Sequence, residues 1–158
     1  MNLNEIVKRF FEENDYNKIA NKIVVIRADG INIYSNLDNV LEASSIGALV
    51  GGLWQAASSL SSMLKKSNEF MEFRLGFDTT SDGVYVLPFE IMNSPYYVCA
   101  IYSEASNPGK LKRNLRRLKE NLEVYLSEFS LDTEKNRKGY LFTEITDSEM
   151  DQLFAFGG

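Results

Sequence analysis

The sequence contains no histidine and a single cysteine. Without histidine, every mechanism that needs an imidazole base or ligand is excluded. Cys99 cannot form an intrachain disulfide, and no set of Cys and His residues exists for a zinc site. We therefore expect no metal, no cofactor and a reducing compartment.

Charge and length place the chain among ordinary folded domains. Its 158 residues include 17 basic and 22 acidic side chains, for a formal net charge of -5, and 44% are apolar. This composition is too apolar and too weakly charged for a disordered chain. A single domain of this size buries about 70% of the surface that its unfolded form exposes. The N-terminal residues lack the apolar region of a signal peptide, so we expect a cytoplasmic protein.

The segment 43–64 carries no formal charge and is long enough to span a bilayer. Six serines and Gln55 within it argue against a membrane-spanning helix. We therefore expect no membrane insertion, and the missing charge needs another explanation.

Hydrophobic spacing and turn residues predict the order helix, two strands, long helix, three strands, helix. Asp29-Gly30 separates the first two strands and is typical of a type I′ hairpin turn. Asn39 and Glu42 resemble a capping box at the start of the long helix, and Pro88 indicates a bulge or an edge in the fourth strand. The predicted helices cover 3–13, about 40–66 and a segment from Asn107-Pro108 onward, and the later strands cover 71–77, 84–91 and 96–102.

The composition changes after Phe129, where residues 132–139 are polar and charged. This change predicts a domain over residues 1–129 and, over 130–158, a linker followed by a short amphipathic C-terminal helix. Thr146 and Glu149 form the capping box of that helix. Its apolar side chains could dock on a partner or fold back onto the domain, and the sequence leaves both open. They are Met150, Leu153, Phe154 and Phe156.

The long helix has two contrasting faces when it is plotted at 100° per residue. The large apolar residues predict the face that packs on the sheet: Ile46, Leu49, Val50, Leu53, Ala57, Leu60 and Leu64. The opposite face is a stripe of small, uncharged residues: Ser44, Gly47, Gly51, Gln55, Ser58 and Ser62.

A glycine within a helix costs about 1 kcal/mol relative to alanine, so Gly47 and Gly51 need a compensating reason. Close approach of a second helix would supply one, and a merely solvated face is the alternative. We interpret the stripe as a dimer or partner interface. Glu72 and Arg74 of strand 71–77 could join it by pairing across a two-fold axis, or could instead protect a free edge.

The last helix begins with a basic cluster that contains no acidic residue: Lys110, Lys112, Arg113, Arg116, Arg117 and Lys119. Nucleic-acid binding would use these as phosphate contacts and Tyr96, Tyr97 and Tyr102 as stacking groups. We predict no nucleic-acid partner, because the chain is acidic and the tyrosines belong to a predicted interior strand. Contact with an acidic partner, including the chain's own tail, stays open for Lys112, Arg113, Arg116 and Arg117.

The hairpin at 24–30, the helix at 40–66 and the strand at 96–102 resemble the Roadblock/dynein light-chain family, a relative of longin and profilin-like domains, and in particular its bacterial or archaeal small-GTPase regulators. The resemblance covers about residues 3–128. It implies an α+β fold of order αββαβββα, a five-stranded antiparallel sheet with a long helix on one face. It further implies homodimers or heterodimers in which the long helices pair and the third strands join edge to edge. Such dimers bind small GTPases as scaffolds or activators, or attach to motor complexes.

The predicted function is that of a non-enzymatic dimeric regulator or scaffold for a small Ras-like GTPase. The carboxylate pairs Glu12/Glu13 and Asp78/Asp82 lie in surface contexts, and the run at 47–52 lacks the lysine of a P-loop. No residue can be assigned as an arginine finger, although Arg74 is the candidate by position. Two alternatives remain: a secretion-chaperone-like adaptor for extended protein segments, and a profilin-like small-molecule sensor with a pocket beside Trp54.

Overall fold

The computed structural model describes residues 2–64, 73–76, 82–103 and 107–144, with the backbone alone at 73–76 and 131–144. The order of helices and strands is the predicted one. The elements are α1 (Leu3–Glu13), a 3-10 turn (Tyr16–Lys18), β1 (Lys22–Arg27), β2 (Asn32–Ser35), α2 (Val40–Leu64), β3 (Phe73–Gly76), β4 (Gly83–Ile91), β5 (Ser94–Tyr102) and α3 (Pro108–Glu144).

The strands form an antiparallel sheet in the order β2-β1-β5-β4-β3. β5 lies between β1 and β4, which explains why its sequence is nearly continuous in apolar residues. β3 is a short strand that pairs with β4 through Phe73–Gly76. It therefore lies at the edge of the sheet that the structure describes.

Helices cover both faces of the sheet, so the chain has the α+β architecture that was predicted. Successive residues of β1 point to opposite faces, as a pleated strand requires. Ile23 and Val25 pack under α1 and α3, whose buried residues include Phe11 and Leu115. Val24 and Ile26 pack on the other face, under α2.

Asparagine side chains cap the N-termini of α1, α2 and α3. The Oδ1 of Asn2 accepts a hydrogen bond from the Glu5 N–H at 2.9 Å, and the Glu5 carboxylate in turn accepts one from the Asn2 N–H at 3.0 Å. Asn39 caps α2 by accepting from the N–H groups of Leu41 and Glu42. Asn107 caps α3 by accepting from the Lys110 N–H at 3.0 Å. These bonds satisfy backbone donors that a helix leaves free at its start.

The turn between β1 and β2 is not the predicted type I′. Gly30 has a φ of +83°, whereas Asp29 is not among the residues with positive φ. The Gly30 N–H donates to the Arg27 carbonyl at 2.9 Å, and the Arg27 N–H donates to the Ile31 carbonyl at 2.9 Å. A three-residue loop that ends in a left-handed glycine has this pattern.

Positive φ at both central positions occurs instead between β4 and β5, at Met92 (49°) and Asn93 (63°). Ile91 and Ser94 pair on either side of them, so this two-residue connection has the type I′ geometry. Pro88 lies in an unbroken register with Tyr97 of β5, and the described pairing of β3 ends at Val86. Pro88 therefore occupies a stretch of β4 with one described neighbouring strand, as an edge position tolerates.

The linker predicted within 130–158 is wrong for its first part, because α3 continues as one helix through Glu144. A polar composition does not stop a helix that already exists, since each added residue gains a backbone hydrogen bond without a new nucleation cost. Glu134, Lys135, Arg137 and Lys138 are also good helix formers. The predicted tail helix, with Met150, Leu153, Phe154 and Phe156, lies outside the described residues.

Candidate functional site

Helix α2 packs on the sheet through a face that contains two glycines. Its buried residues are Ala43, Gly47, Val50, Gly51 and Trp54. Val50 and Trp54 contact the apolar cluster over the sheet, where the Trp54 ring centroid lies 4.7 Å from that of Tyr97. Trp54 is thus a core residue with 8% of its surface exposed.

The two glycines let the β1–β2 hairpin approach α2 at the level of the backbone. A Cβ atom on Gly47 would lie 2.6 Å from the carbonyl oxygen of Gly30, and one on Gly51 would lie 3.2 Å from the Gly30 Cα. A side chain on Gly30 would in turn meet Gly47 and Ala48 at 3.2 and 3.3 Å. The 2.6 Å contact leaves no room for a methyl group, and the contacts of 3.2 and 3.3 Å are tighter than most, so the three glycines form one close contact within the chain.

This contact corrects the predicted orientation of α2. Gly47 and Gly51 were assigned to a partner interface, but they face the chain's own hairpin. Conversely Leu49, Leu60 and Leu64 were assigned to the sheet, yet their side chains are 73%, 61% and 85% exposed. The physical reason is that backbone-to-backbone packing selects the smallest residues, whereas an amphipathic plot places the largest residues inside.

The opposite side of α2 forms an exposed and uncharged surface, which we term the open face. It comprises Leu41, Ser45, Ala48, Leu49, Gly52, Ala56, Ser59, Leu60 and Met63. The charged residue of α2 is Glu42, at its flank, whose carboxylate forms an ion pair with Lys22 of β1. Exposed helix faces normally carry charged side chains, so this composition is unusual for a surface in water.

Serine hydroxyls on α2 add little polarity to this side of the helix. The Ser45 hydroxyl donates to the Leu41 carbonyl at 2.9 Å, and the Ser62 hydroxyl donates to the Ser59 carbonyl at 2.8 Å. Because these hydroxyls already have acceptors within the helix, covering them would remove few hydrogen bonds to water.

The C-terminal part of α2 is exposed around most of its circumference. Over residues 58–64, every side chain is exposed except Ser61, which is half-buried. The Met63 side chain, for example, is 83% exposed. The last two turns thus receive little cover from the part of the chain that the structure describes.

The remaining predicted interface residues lie in different places. Ser44, Gln55, Ser58 and Ser62 are exposed beside the open face or near the end of α2, so an interface role for them stays a prediction. Glu72 lies outside the described residues. Arg74 lies on the outer strand β3, in register with Tyr85 of β4. Arg74 is therefore at the described edge of the sheet.

The predicted acidic-partner residues lie near the start of α3. Arg113, Arg116 and Arg117 are exposed, and the Lys112 amine lies 5.9 Å from the centroid of the Tyr85 ring. With Gly109 and Glu120 they line a shallow groove of about 410 Å³. Of the three tyrosines considered as stacking groups, Tyr97 and Tyr102 are buried in β5, and Tyr96 is half-buried against Phe89.

Chemically reactive groups are constrained by their surroundings. Cys99 is fully buried, and burial raises the pKa of its thiol to about 12, so it is protonated near neutral pH. Glu12 pairs with Lys8 at 3.7 Å, and the Glu13 carboxylate accepts from the Tyr125 hydroxyl at 3.3 Å. Within the described ranges, no three Cys, Asp or Glu side chains come together in a way that could hold a metal ion.

No helix among the described residues combines the length and the apolarity needed to cross a bilayer. The sequence pattern predicted an interface on α2 but did not include Ala48, Gly52 and Ala56, which lie on its open face. The sequence shows those small residues as an i, i+4, i+8 series. It does not show how the helix is rotated about its axis, and that rotation exposes them.

Comparison with known proteins gives no match to any family model and none to any curated protein. Solved structures do match. MglB of Myxococcus xanthus superposes with a TM-score of 0.57 at 18% identity, covering 80% of this chain and 88% of that one. The gliding protein MglB of Thermus thermophilus gives 0.55 at 19% identity, covering 78% and 87%. A Roadblock/LC7 domain from Streptomyces avermitilis gives 0.54 at 16% identity, covering 67% and 84%.

These three likenesses span between 67% and 80% of the chain. The element order, the sheet topology and the three superpositions lead to the same conclusion. The chain has a roadblock-like fold.

Proposed function

We propose that this protein is a non-enzymatic dimeric regulator or scaffold that binds a small Ras-like GTPase. The single observation that carries the proposal is the open face of α2, an uncharged and largely apolar surface on a 25-residue helix. The roadblock fold supplies the context, because roadblock dimers pair their long helices. One of the matched structures is "MglB with tetrameric arrangement", and the tetramer is a property of that MglB protein.

The energy available at the open face favours a contact between two copies. Burying one Leu or Met side chain contributes about 1.5 to 3 kcal/mol. Leu41, Leu49, Leu60 and Met63 are all exposed in the single chain. In a two-fold interface each residue is used twice, so a few such side chains suffice for a stable dimer.

The spacing of small residues favours a helix as the occupant of this face. Ala48, Gly52 and Ala56 recur every four residues, and a Cβ atom on Gly52 would have no neighbour within 4 Å among the described residues. A row of small residues at this spacing lets a second helix approach closely along a ridge, with the leucines on its flanks. The glycine that lacks an explanation within the chain thereby gains one in the dimer.

The edge position of β3 supports the second half of the proposed interface. An edge strand presents unpaired backbone groups that another strand can use. If two copies of β3 pair across the same two-fold axis, Arg74 lies at the junction. We assign no catalytic role to Arg74; acceleration of GTP hydrolysis would come from repositioning groups of the GTPase itself.

Self-association is tested by the mass of the chain in solution, measured by light scattering and sedimentation. The chain should be a dimer, and Gly52→Glu should convert it to a monomer because it buries a charge in the helix contact. Val124→Glu is the matched control, since Val124 is 58% exposed on α3 outside the open face. A Gly52→Glu chain that stays dimeric would remove α2 from the interface.

The GTPase partner is tested by capture experiments with Ras-like GTPases of the same cell, each loaded with GDP or with a non-hydrolysable GTP analogue. The proposal predicts a nucleotide-dependent complex that is formed by the dimer. A dimer without any nucleotide-dependent partner would favour a chaperone-like adaptor. Ligand-induced quenching of Trp54 in a monomer would favour the small-molecule sensor.

A further inference from the structure

The basic face of α3 is a charged surface, and the proposed function does not use it. We define it by Lys112, Arg113, Arg116 and Arg117, which line the groove near the start of the helix. Glu120 is the acidic side chain in this groove, and the nearby Glu123 lies 3.7 Å from Lys119. The chain has a net charge of -5, so this surface is opposite in sign to the net charge of the molecule.

The complementary charge lies at the other end of the same helix. From Gly139 to Gly158 the sequence contains Glu144, Asp147, Glu149 and Asp151 and no basic residue. These acids alternate with apolar residues over the end of α3 and the segment that follows it. We propose that this acidic C-terminal tail of one copy binds the basic face of α3 on a second copy.

Distance excludes the same contact within one chain. α3 runs without interruption to Glu144, which lies 27 positions after Arg117. At about 1.5 Å per residue this stretch of helix is about 40 Å long. Asp151 lies seven residues beyond Glu144 and reaches back about 24 Å even when fully extended. The acidic residues of the tail therefore fall short of the basic face of their own chain, so the contact needs the basic face of another copy.

Charge makes the tail a better occupant than an anionic membrane surface. Outside the basic face, the net negative chain is repelled by anionic lipid. The acidic tail is opposite in charge to the basic face, and in any dimer it is present at high local concentration. The contact requires a second copy but not the open face of α2. Its failure and that of the α2 dimer can therefore be observed separately.

The experiment uses the full chain with a nitroxide spin label at Ser148→Cys, in a Cys99→Ala background. Spin-labelled protein at natural isotope abundance is mixed with unlabelled, ¹⁵N-enriched protein. The proposal predicts broadening of the Arg113 and Arg117 amide signals in this mixed sample, and its loss at about 0.5 M salt because surface charges are then screened.

Charge reversal provides the specificity control. Arg113→Glu with Arg117→Glu in the ¹⁵N-enriched copy should weaken the contact by about tenfold or more, about 1.4 kcal/mol. Asp147→Lys with Glu149→Lys in the spin-labelled copy should restore it. Absence of broadening in the mixed sample overturns the proposal, as does broadening that charge reversal leaves unchanged. Binding of the basic face to phosphatidylserine vesicles that tail peptide does not displace would also overturn it, in favour of a membrane.

Discussion

The carbonyl oxygen of Gly30 lies 2.6 Å from the point that a Cβ atom on Gly47 would occupy. Real side chains do not approach a backbone oxygen this closely, so the β1–β2 hairpin and α2 contact each other through their main chains. This contact sets the rotation of α2 about its axis. The rotation in turn decides which residues the helix presents to a partner.

Gly47→Ala should lower the free energy of unfolding by about 1 to 3 kcal/mol, because the added methyl group forces the hairpin away from the helix. This loss should occur even though alanine favours a helix over glycine. Gly52→Ala is the matched variant on the open side and should raise the stability of the monomer by up to about 1 kcal/mol. Urea unfolding of both variants, at a dilution that keeps the chain monomeric, measures the change in the free energy of unfolding. Equal changes at the two positions would contradict the assigned rotation of α2.

Met92→Asn should stabilise the β4–β5 hairpin. Met92 has a φ of 49° and is mostly exposed, so the side chain contributes little packing while it strains the backbone. Asparagine tolerates the left-handed region, and the gain should be about 0.5 kcal/mol or more. Met92→Val is the control in the opposite direction, since a β-branched residue is less suited to positive φ. Thermal unfolding would rank the chains, and a valine variant as stable as the asparagine one would refute the turn assignment.

The hairpin tip should respond to acid through Asp29. A hydrogen bond from Arg27 lowers the pKa of the Asp29 carboxyl below its ordinary value of 3.8. The pair therefore stabilises the fold above that value, and the contribution is lost as pH falls through the lowered pKa. Arg27→Gln should raise the pKa of Asp29, as an NMR titration of the carboxyl carbon would record. Lys18→Gln, which removes a different surface pair, should leave it unchanged.

Asp132→Pro should shorten α3. Proline in the interior of a helix removes a hydrogen bond and costs about 3 kcal/mol, so the segment after it should lose helical structure. Circular dichroism at 222 nm should report that loss, while the unfolding midpoint of the domain should change little. If residues 130–144 were instead the linker that their composition suggests, the same substitution would leave the spectrum unaltered.

Local sequence patterns were enough to predict most of the architecture. Three of its features depend on residues close in the chain: the N-termini of α2 and α3 at Asn39 and Asn107, the apolar run of β5, and the spacing of leucines in α3. Local patterns failed where the outcome depends on a distant contact. The small residues of α2 were predicted to meet a partner, but Gly47 and Gly51 contact Gly30 of the same chain, and nothing within the helix itself indicates this.

The two other errors have related causes. Asp29-Gly30 favours a hairpin, but the docking of Gly30 against α2 fixes a longer loop with one left-handed residue. The polar composition of 132–139 is typical of a linker, but a helix that is already formed extends through such residues at little cost. In both cases the structure next to the segment decided the outcome.

The last two turns of α2 have a consequence for how partners would be recognised. Within the described part of the chain these turns are exposed on nearly every side and have few tertiary contacts, and helix ends without such contacts fray. A partner that covers residues 58–64 would have to order them, at about 1 kcal/mol or more for each residue fixed. Association would then show a large negative entropy and an affinity well below what its contact area suggests. Substitutions that merely stiffen this end, without touching the partner, would tighten the complex.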